Sequence, residues 1–234
     1  MSFTMSNLAI IPARGGSKRI PRKNIKDFLG KPIIAYSIEA ALKSDLFDEV
    51  MVSTDDKEIA EIAIKYGAKV PFLRSGKNAD DYATTVDVLI EVIEKYKAQG
   101  RTFENIACLY PSAPFTTSKK LKEAYTILIS KRLDAVFPVM PFSFPIQRSL
   151  KMNEGKLEYF YPEFENSRSQ DLEKAYHDAG QFYFINTSNL LINKSILSKN
   201  TGAILITELE AQDIDNETDW KIAEIKYELL QSTK

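Results

Sequence analysis

Short apolar runs alternate with helical patterns through the first half of the chain. Residues 8–13 form one such run (Leu8-Ala-Ile-Ile-Pro-Ala13), and residues 49–53, 68–72, 106–110 and 135–139 form four more. Runs of this length predict strands buried on both faces. Between them, apolar positions recur at helical spacing: Ile59, Ile62, Ala63 and Tyr66 in one segment, Val86, Leu89, Ile90 and Ile93 in another. Thr54 or Asp55 can cap the first helix, with Glu58 placed to close a capping box. Thr84 and Thr85 are natural caps for the second. Strand, helix and strand repeated in this way predict right-handed crossovers and a largely parallel sheet, an α/β fold of the doubly wound, Rossmann-like kind.

The pattern breaks after Val139. Residues 141–161 are rich in aromatic side chains and proline (Phe142, Phe144, Pro145, Tyr159, Phe160, Tyr161), with Glu154-Gly155 as a turn signal. This predicts a hairpin or arm. It is either an aromatic core segment or, if exposed, a surface that needs a partner, and the expectation is a homodimer contact. Strand character returns at 180–186, and 216–231 reads as a helix capped by Asn216. With no repeat, low-complexity segment or long linker, the expectation is one domain over residues 1–234, with 141–175 as a projecting arm.

Composition narrows the chemistry. The chain has 234 residues, with 31 Lys+Arg against 32 Asp+Glu and a formal net charge of -1. A charge this balanced argues against a nucleic-acid coat. No stretch approaches the roughly 20 apolar residues that span a bilayer, and the polar start lacks the features of a secretory signal. With Cys108 as the single cysteine, a reducing cytoplasm is the expected setting. Cys108 cannot form an internal disulfide, and the single His177 excludes a multi-histidine metal site. Metal or acid–base chemistry therefore falls to carboxylates and lysines.

The segment Pro12-Ala-Arg-Gly-Gly-Ser-Lys-Arg-Ile-Pro-Arg-Lys-Asn24 follows the first strand, where open α/β sheets bind ligands. A glycine pair lets backbone N–H groups approach an anion. Arg14, Lys18, Arg19, Arg22, Lys23 and Lys26 add six positive charges with no acid before Asp27. Such a loop suits polyphosphate, although it has neither the Walker spacing nor the dinucleotide GxGxxG. At the other end, residues 200–220 contain Glu208, Glu210, Asp213, Asp215, Glu217 and Asp219 and no Lys or Arg. In an extended segment Asp213 and Asp215 point the same way and can share a hard cation such as Mg2+. Alone they read as surface acids ahead of a helix; beside a phosphate loop they read as a metal pair.

Two further clusters are polar. Arg74, residues 78–81 and Thr84-Thr85 lie between the third apolar run and the next helix, where hydroxyls and a guanidinium can read a nucleobase edge. Residues 168–181 are dense in hydrogen-bonding groups and lead into an apolar strand. Arg168 is a candidate for bidentate pairing with a substrate carboxylate. His177 is more often a structural donor than a base.

On these residues the chain resembles the acylneuraminate cytidylyltransferases (CMP-sialic acid synthetases). The glycine-loop segment is similar to the family's nucleotide-binding signature. Lys31-Pro-Ile-Ile-Ala-Tyr-Ser37, Ser53-Thr-Asp55, Arg74 with residues 79–87, and Gln212-Asp-Ile-Asp215 followed by Glu217-Thr-Asp-Trp220 fit further segments. The resemblance implies CTP over the loop, with Ala13, Arg14, Gly15, Gly16, Ser17, Lys18, Lys23 and Asn24 around its phosphates. Arg74, Ala79, Asp81 and Thr84 would hold the cytidine, and Asp213 and Asp215 would hold Mg2+. Arg14, Lys18, Lys23 and the two aspartates would carry catalysis.

The acidic nine-carbon sugar would meet Tyr110, Arg168, Gln170, Tyr176, His177 and Gln181. Where sialic acid synthetases carry Gln-Pro-Thr-Ser-Pro-Leu-Arg, this chain has Tyr110-Pro-Ser-Ala-Pro-Phe-Thr116. Where they carry Arg-x-Asn-Gly, it has His177-Asp-Ala-Gly180. The run 168–183 is similar to the family's pseudaminic acid branch. A sialate, legionaminate or Kdo enzyme and a non-catalytic nucleotide-binding module are the alternatives.

Overall fold

The computed structural model describes residues 6–80 and 82–232. Asp81 lies outside the described residues. The elements run β1 (Asn7–Pro12), a short hairpin β2 (Asp27–Phe28) and β3 (Lys31–Pro32), α1 (Ile34–Ser44), β4 (Glu49–Ser53), α2 (Lys57–Lys65) and α3 (Thr85–Ala98). Next come β5 (Asn105–Leu109), α4 (Ser118–Ser130), β6 (Ala135–Pro141), a second hairpin β7 (Leu150–Asn153) and β8 (Lys156–Tyr159), and β9 (Tyr176–Asp178). The chain finishes with β10 (Phe182–Asn186), α5 (Thr187–Asn193), β11 (Thr201–Leu205) and α6 (Glu217–Ser232).

The main sheet runs β11-β6-β10-β5-β1-β4, with β9 on the far end of β6. β4, β1 and β5 are parallel, as are β6 and β11, but β10 is antiparallel to both its neighbours and β9 to β6. Successive strand residues go to opposite layers. Ala9, Ile11, Ala107, Leu109, Phe182 and Phe184 pack against α1, α2 and α4. Leu8, Ile10, Ile106, Cys108 and Ile185 pack against α3 and α5. Burial on both faces explains why these strands read as continuous apolar runs.

Two local expectations are corrected. Residues 68–72 do not form a strand: a single bridge joins Lys69 to Met51, with Lys69 N donating to Val50 O at 2.8 Å and Val52 N to Lys69 O at 2.9 Å. Pro71, lacking an N–H, cannot extend the ladder. The cap of α2 is neither Thr54 nor Asp55 but Asp56, whose Oδ1 accepts from Ile59 N at 3.0 Å. Thr54 instead receives the Asp56 N–H, and Asp55 faces the glycine loop. Thr84 does cap α3, in a capping box closed by Asp87, and Asn216 Oδ1 accepts from Thr218 N and Asp219 N at the start of α6.

Residues 142–175 leave the sheet at the end of β6 and return at β9, carrying the separate β7–β8 hairpin with Glu154 and Gly155 at positive φ in its turn. A third apolar cluster closes the opposite side. Ile20, Phe28, Ile33 and Tyr36 from the N-terminal third pack with Phe115 and with Ile214, Trp220 and Ala223 from the C-terminal segment. Phe28 meets Tyr36 edge-on at 5.4 Å and Trp220 at 5.6 Å. Trp220 is fully enclosed, so Trp220→Ala is expected to lower unfolding stability by about 3–5 kcal/mol, measured by chemical denaturation.

Candidate active site

The site lies where β1, β4 and β5 end side by side, as the Ala13 N–H to Ser53 O bond of 2.9 Å marks. Ala13 is buried, and the backbone then turns outward through Arg14, Gly15, Gly16 and Ser17. Gly15 N donates to Asp55 Oδ1 at 3.0 Å. A Cβ on Gly15 would stand 2.7 Å from Asp56 Oδ2 and 3.0 Å from the Asp56 Cβ. Only glycine lets the loop lie this close to the start of α2. Arg22, in the left-handed region at φ 56, pairs with Asp56 and Glu58. Buried Asn24 donates to Arg14 O at 3.0 Å. The basic loop is thus braced by acids at the start of α2, while the side chains of Lys18 and Arg19 are exposed.

The acidic tail comes to this loop. Lys23 Nζ donates to Ile214 O at 2.7 Å, across 191 residues of sequence. Burial pushes the Lys23 ammonium pKa down, and Asp215 and Asp213 pull it back up. Ile214 is buried, with exposed Asp213 and half-buried Asp215 on either side of it. Arg19 pairs with Asp215 at 2.7 Å. Asp219 accepts from Asp215 N and Asn216 N, fixing the turn into α6. Lys26 pairs with Glu217 at 2.6 Å and lies 4.6 Å from the Trp220 ring centroid.

Among the described residues no three His, Cys, Asp or Glu groups form a cluster able to hold a metal by themselves. Asp213 and Asp215 beside the basic glycine loop are a donor set that fits Mg2+, which keeps coordination positions for water and further oxygen ligands.

On the α3 side, Arg74 is buried at the end of β4, its Nε donating to Ser53 Oγ at 3.2 Å and Nη2 to Ser53 O at 2.5 Å. Burial lowers its pKa, and Asp55 opposes that shift. Arg14 Nη1 donates to Asp80 O at 3.1 Å, tying the glycine loop to the 75–84 loop that carries Ala79. The Thr84 hydroxyl is engaged as the α3 cap. Glu91 of α3 holds this loop from beneath, accepting from Ser75 N at 2.9 Å, Ser75 Oγ at 2.8 Å and Asn78 Nδ2.

Tyr110 and Gln181 meet where β5 ends and β10 begins, Tyr110 N donating to Gln181 O at 2.9 Å. Gln181 is buried, its Nε2 donates to Glu210 O at 2.6 Å, and its Oε1 has no partner among the described residues. The other expected sugar contacts lie on the 142–175 excursion or on β9 at its base. Arg168 is exposed on the 142–175 excursion, paired with Asp171 at 2.7 Å, and Gln170 occupies a single 3-10 turn beside it. Tyr176 pairs with Pro141 at the base of that excursion, and His177 packs 4.9 Å from the Phe142 ring. Of the loop braces, Asp55 is expected only as a cap and as part of the Ser53-Thr-Asp55 segment, and Asp56 and Glu91 have no role in the sequence pattern. Acids just after a strand or inside a helix carry no local sign of what they face in space.

A three-layer α/β fold with a basic glycine loop and a carboxylate pair at the strand ends defines a nucleotide-phosphate-binding protein. A profile described as Cytidylyltransferase matches residues 8–229. The chain belongs to that cytidylyltransferase family. It is 46% identical over 226 residues to the pseudaminic acid cytidylyltransferase of Campylobacter jejuni, covering 96% of this chain and 97% of the relative. It is 35% identical to the CMP-N,N'-diacetyllegionaminic acid synthase of Legionella pneumophila, covering 97% of this chain and 98% of that one. Among solved structures, a CMP:2-keto-3-deoxy-manno-octonic acid synthetase complexed with CTP matches with a TM-score of 0.70 at 18% identity, over 97% of this chain and 99% of its own. That likeness bears on the fold alone.

Burial pushes the Glu91 carboxyl up, but Lys95 and the donors from Ser75 and Asn78 outweigh it and bring it down to about 2. A carboxyl depressed in the folded state stabilises above its unfolded value of ~4.3 and loses that contribution as pH falls toward its folded value. Glu91→Gln is therefore expected to lose less stability than wild type between about pH 5 and pH 3, measured by urea unfolding across that range. An unchanged acid limb would show that Glu91 does not anchor the 75–84 loop.

Proposed function

We propose that this protein transfers the CMP group of CTP to pseudaminic acid, releasing pyrophosphate, with Mg2+ as the accompanying cation. The observation that carries this reading is the 46% identity, over nearly the full length of both chains, to relatives named pseudaminic acid cytidylyltransferase. Tyr110 and His177, in place of the Gln and Arg of the sialate enzymes, support pseudaminate over sialate.

In the reaction the anomeric hydroxyl oxygen bonds to the α-phosphorus as the bond to the bridging oxygen breaks. Pyrophosphate departs with that electron pair, and the hydroxyl proton passes to solvent. Arg14, Ser17, Lys18, Lys23 and the amides of Gly15 and Gly16 receive the triphosphate, with Ala13 and Asn24 supporting the loop. Asp55 on Gly15 N and Arg19 on Asp215 hold the two halves in place until phosphate and cation take over these contacts. Arg74 and Ala79 border the cytidine, and Tyr110 and Gln181 border the sugar. Asp213 and Asp215 would hold Mg2+, which supplies charge neutralisation at the phosphates and acidifies the attacking hydroxyl. Positioning and electrostatics suffice, so no protein nucleophile is required.

The setting we infer is the cytoplasm, supported by the lone, buried Cys108. The working form we infer is a homodimer, supported by the 142–175 excursion. An isolated hairpin is marginal by itself; this one exposes Met152 and Leu157, and the excursion around it exposes Phe144 and Phe160.

Pyrophosphate release from CTP and Mg2+ across a panel of nonulosonic acids tests the activity. Pseudaminic acid is expected to be turned over fastest; faster turnover of legionaminate or sialate would reassign the substrate, and none with any acid would leave a binding module. For assembly, the double variant Phe144→Asp with Leu157→Asp is expected to sediment as a monomer where wild type sediments as a dimer; equal sedimentation would exclude the arm as the contact.

A further inference from the structure

A row of four side chains runs from the nucleotide side of the site to the sugar side. Thr85 is the first residue of α3, directly after the 75–84 loop, and its Oγ1 lies 3.2 Å from the Tyr110 hydroxyl. The Tyr110 and Tyr183 rings meet edge-on at 5.5 Å. Tyr183 donates its hydroxyl to Asp178 Oδ2 at 2.6 Å, and Asp178 Oδ1 accepts from Gly180 N at 2.7 Å. None of Thr85, Asp178 and Tyr183 has a role in the chemistry described above.

A carboxylate only accepts, so Asp178 commits the Tyr183 hydroxyl as a donor. The Tyr183 hydroxyl donates to Asp178, which fixes the Tyr183 ring, and the edge-on contact of that ring holds Tyr110 with its hydroxyl beside Thr85 Oγ1. Burial pushes both phenol pKa values up, with the Tyr110 neighbour and the Asp178 bond adding to the shift of Tyr183. Both therefore keep their protons, and the row orients groups without moving charge. A side chain locked by such supporting bonds meets its ligand already in place.

We propose that Asp178 and Tyr183 are positioning residues that fix the Tyr110 hydroxyl as one wall of the sugar pocket and tie that wall, through Thr85, to the nucleotide loop. This rests on the activity proposed above for its kinetic consequence, but not for its existence. Two measurements test it. In ligand-free protein isotopically labelled at tyrosine Cζ, Asp178→Asn is expected to move the NMR signal of Tyr110 together with that of Tyr183. A Tyr110 signal that stays in place overturns the proposal whatever the activity.

In steady-state assays Tyr183→Phe is expected to raise KM for pseudaminic acid about tenfold, the loss of roughly one hydrogen bond. Its kcat and its KM for CTP are expected to stay within about twofold of wild type. Asp178→Asn keeps an acceptor for the phenol and is expected to fall between the two. Parallel losses in kcat and both KM values, tracking a fall in Tm, would mean a structural role only and overturn the proposal. If wild type turns over no sugar acid, the activity reading fails, and the NMR result still decides whether the row exists.

Discussion

The site depends on the packing of Ile214 and Trp220 into the cluster built by Ile20, Phe28 and Tyr36. These residues lie at opposite ends of the chain, and nothing in the sheet requires them to meet. Burial of Ile214 and Trp220 sets the path of the C-terminal segment across the glycine loop, and so sets where Asp213 and Asp215 stand. The ion pairs that accompany this packing, Lys26 with Glu217 and Arg19 with Asp215, are exposed, and such pairs add little stability. Apolar burial is therefore the force that closes the site, and the charges give it its chemistry. One basic pole and one acidic pole, each repulsive within itself, become favourable neighbours once the aromatic cluster forms.

The glycine loop is prepared rather than formed by ligand. Asp55 occupies the Gly15 amide, Arg22 is clamped by Asp56 and Glu58, and Asn24 holds the Arg14 carbonyl. The carbonyl of Asp80 carries the same order across to the 75–84 loop through Arg14, and Glu91 anchors that loop to α3. Groups held in this way lose little freedom when they meet phosphate, and that saving is what raises the rate of a positioned displacement.

Much of the sheet was legible in the sequence, because strands buried on both faces leave continuous apolar runs. β1, β4, β5 and β6 all follow such runs. Strand direction was not legible: β10 reads like the others, yet it runs antiparallel, since it re-enters from the 142–175 excursion and not from a crossover helix. The bridge at Lys69 shows a similar limit, with apolar composition present but Pro71 ending the ladder. In the site, the loop glycines, Asn24, Lys23 and the two aspartates stood out through spacing and charge. Arg168 and Gln170 looked equally polar and fold onto the excursion. Asp55, Asp178 and Tyr183 fell within singled-out segments, but nothing in the sequence showed that Asp55 meets the Gly15 amide or that Asp178 and Tyr183 back Tyr110.

The basic loop and the Asp213–Asp215 pair are proposed to form one site for a metal-bound nucleotide. Calorimetric titration of CTP with and without Mg2+ tests it most directly. Wild type is expected to bind CTP at least about tenfold more tightly with Mg2+, a coupling of roughly 1.4 kcal/mol, and the Asp213→Asn, Asp215→Asn double variant is expected to show no gain. An equal gain in both proteins would place the cation elsewhere and contradict the account.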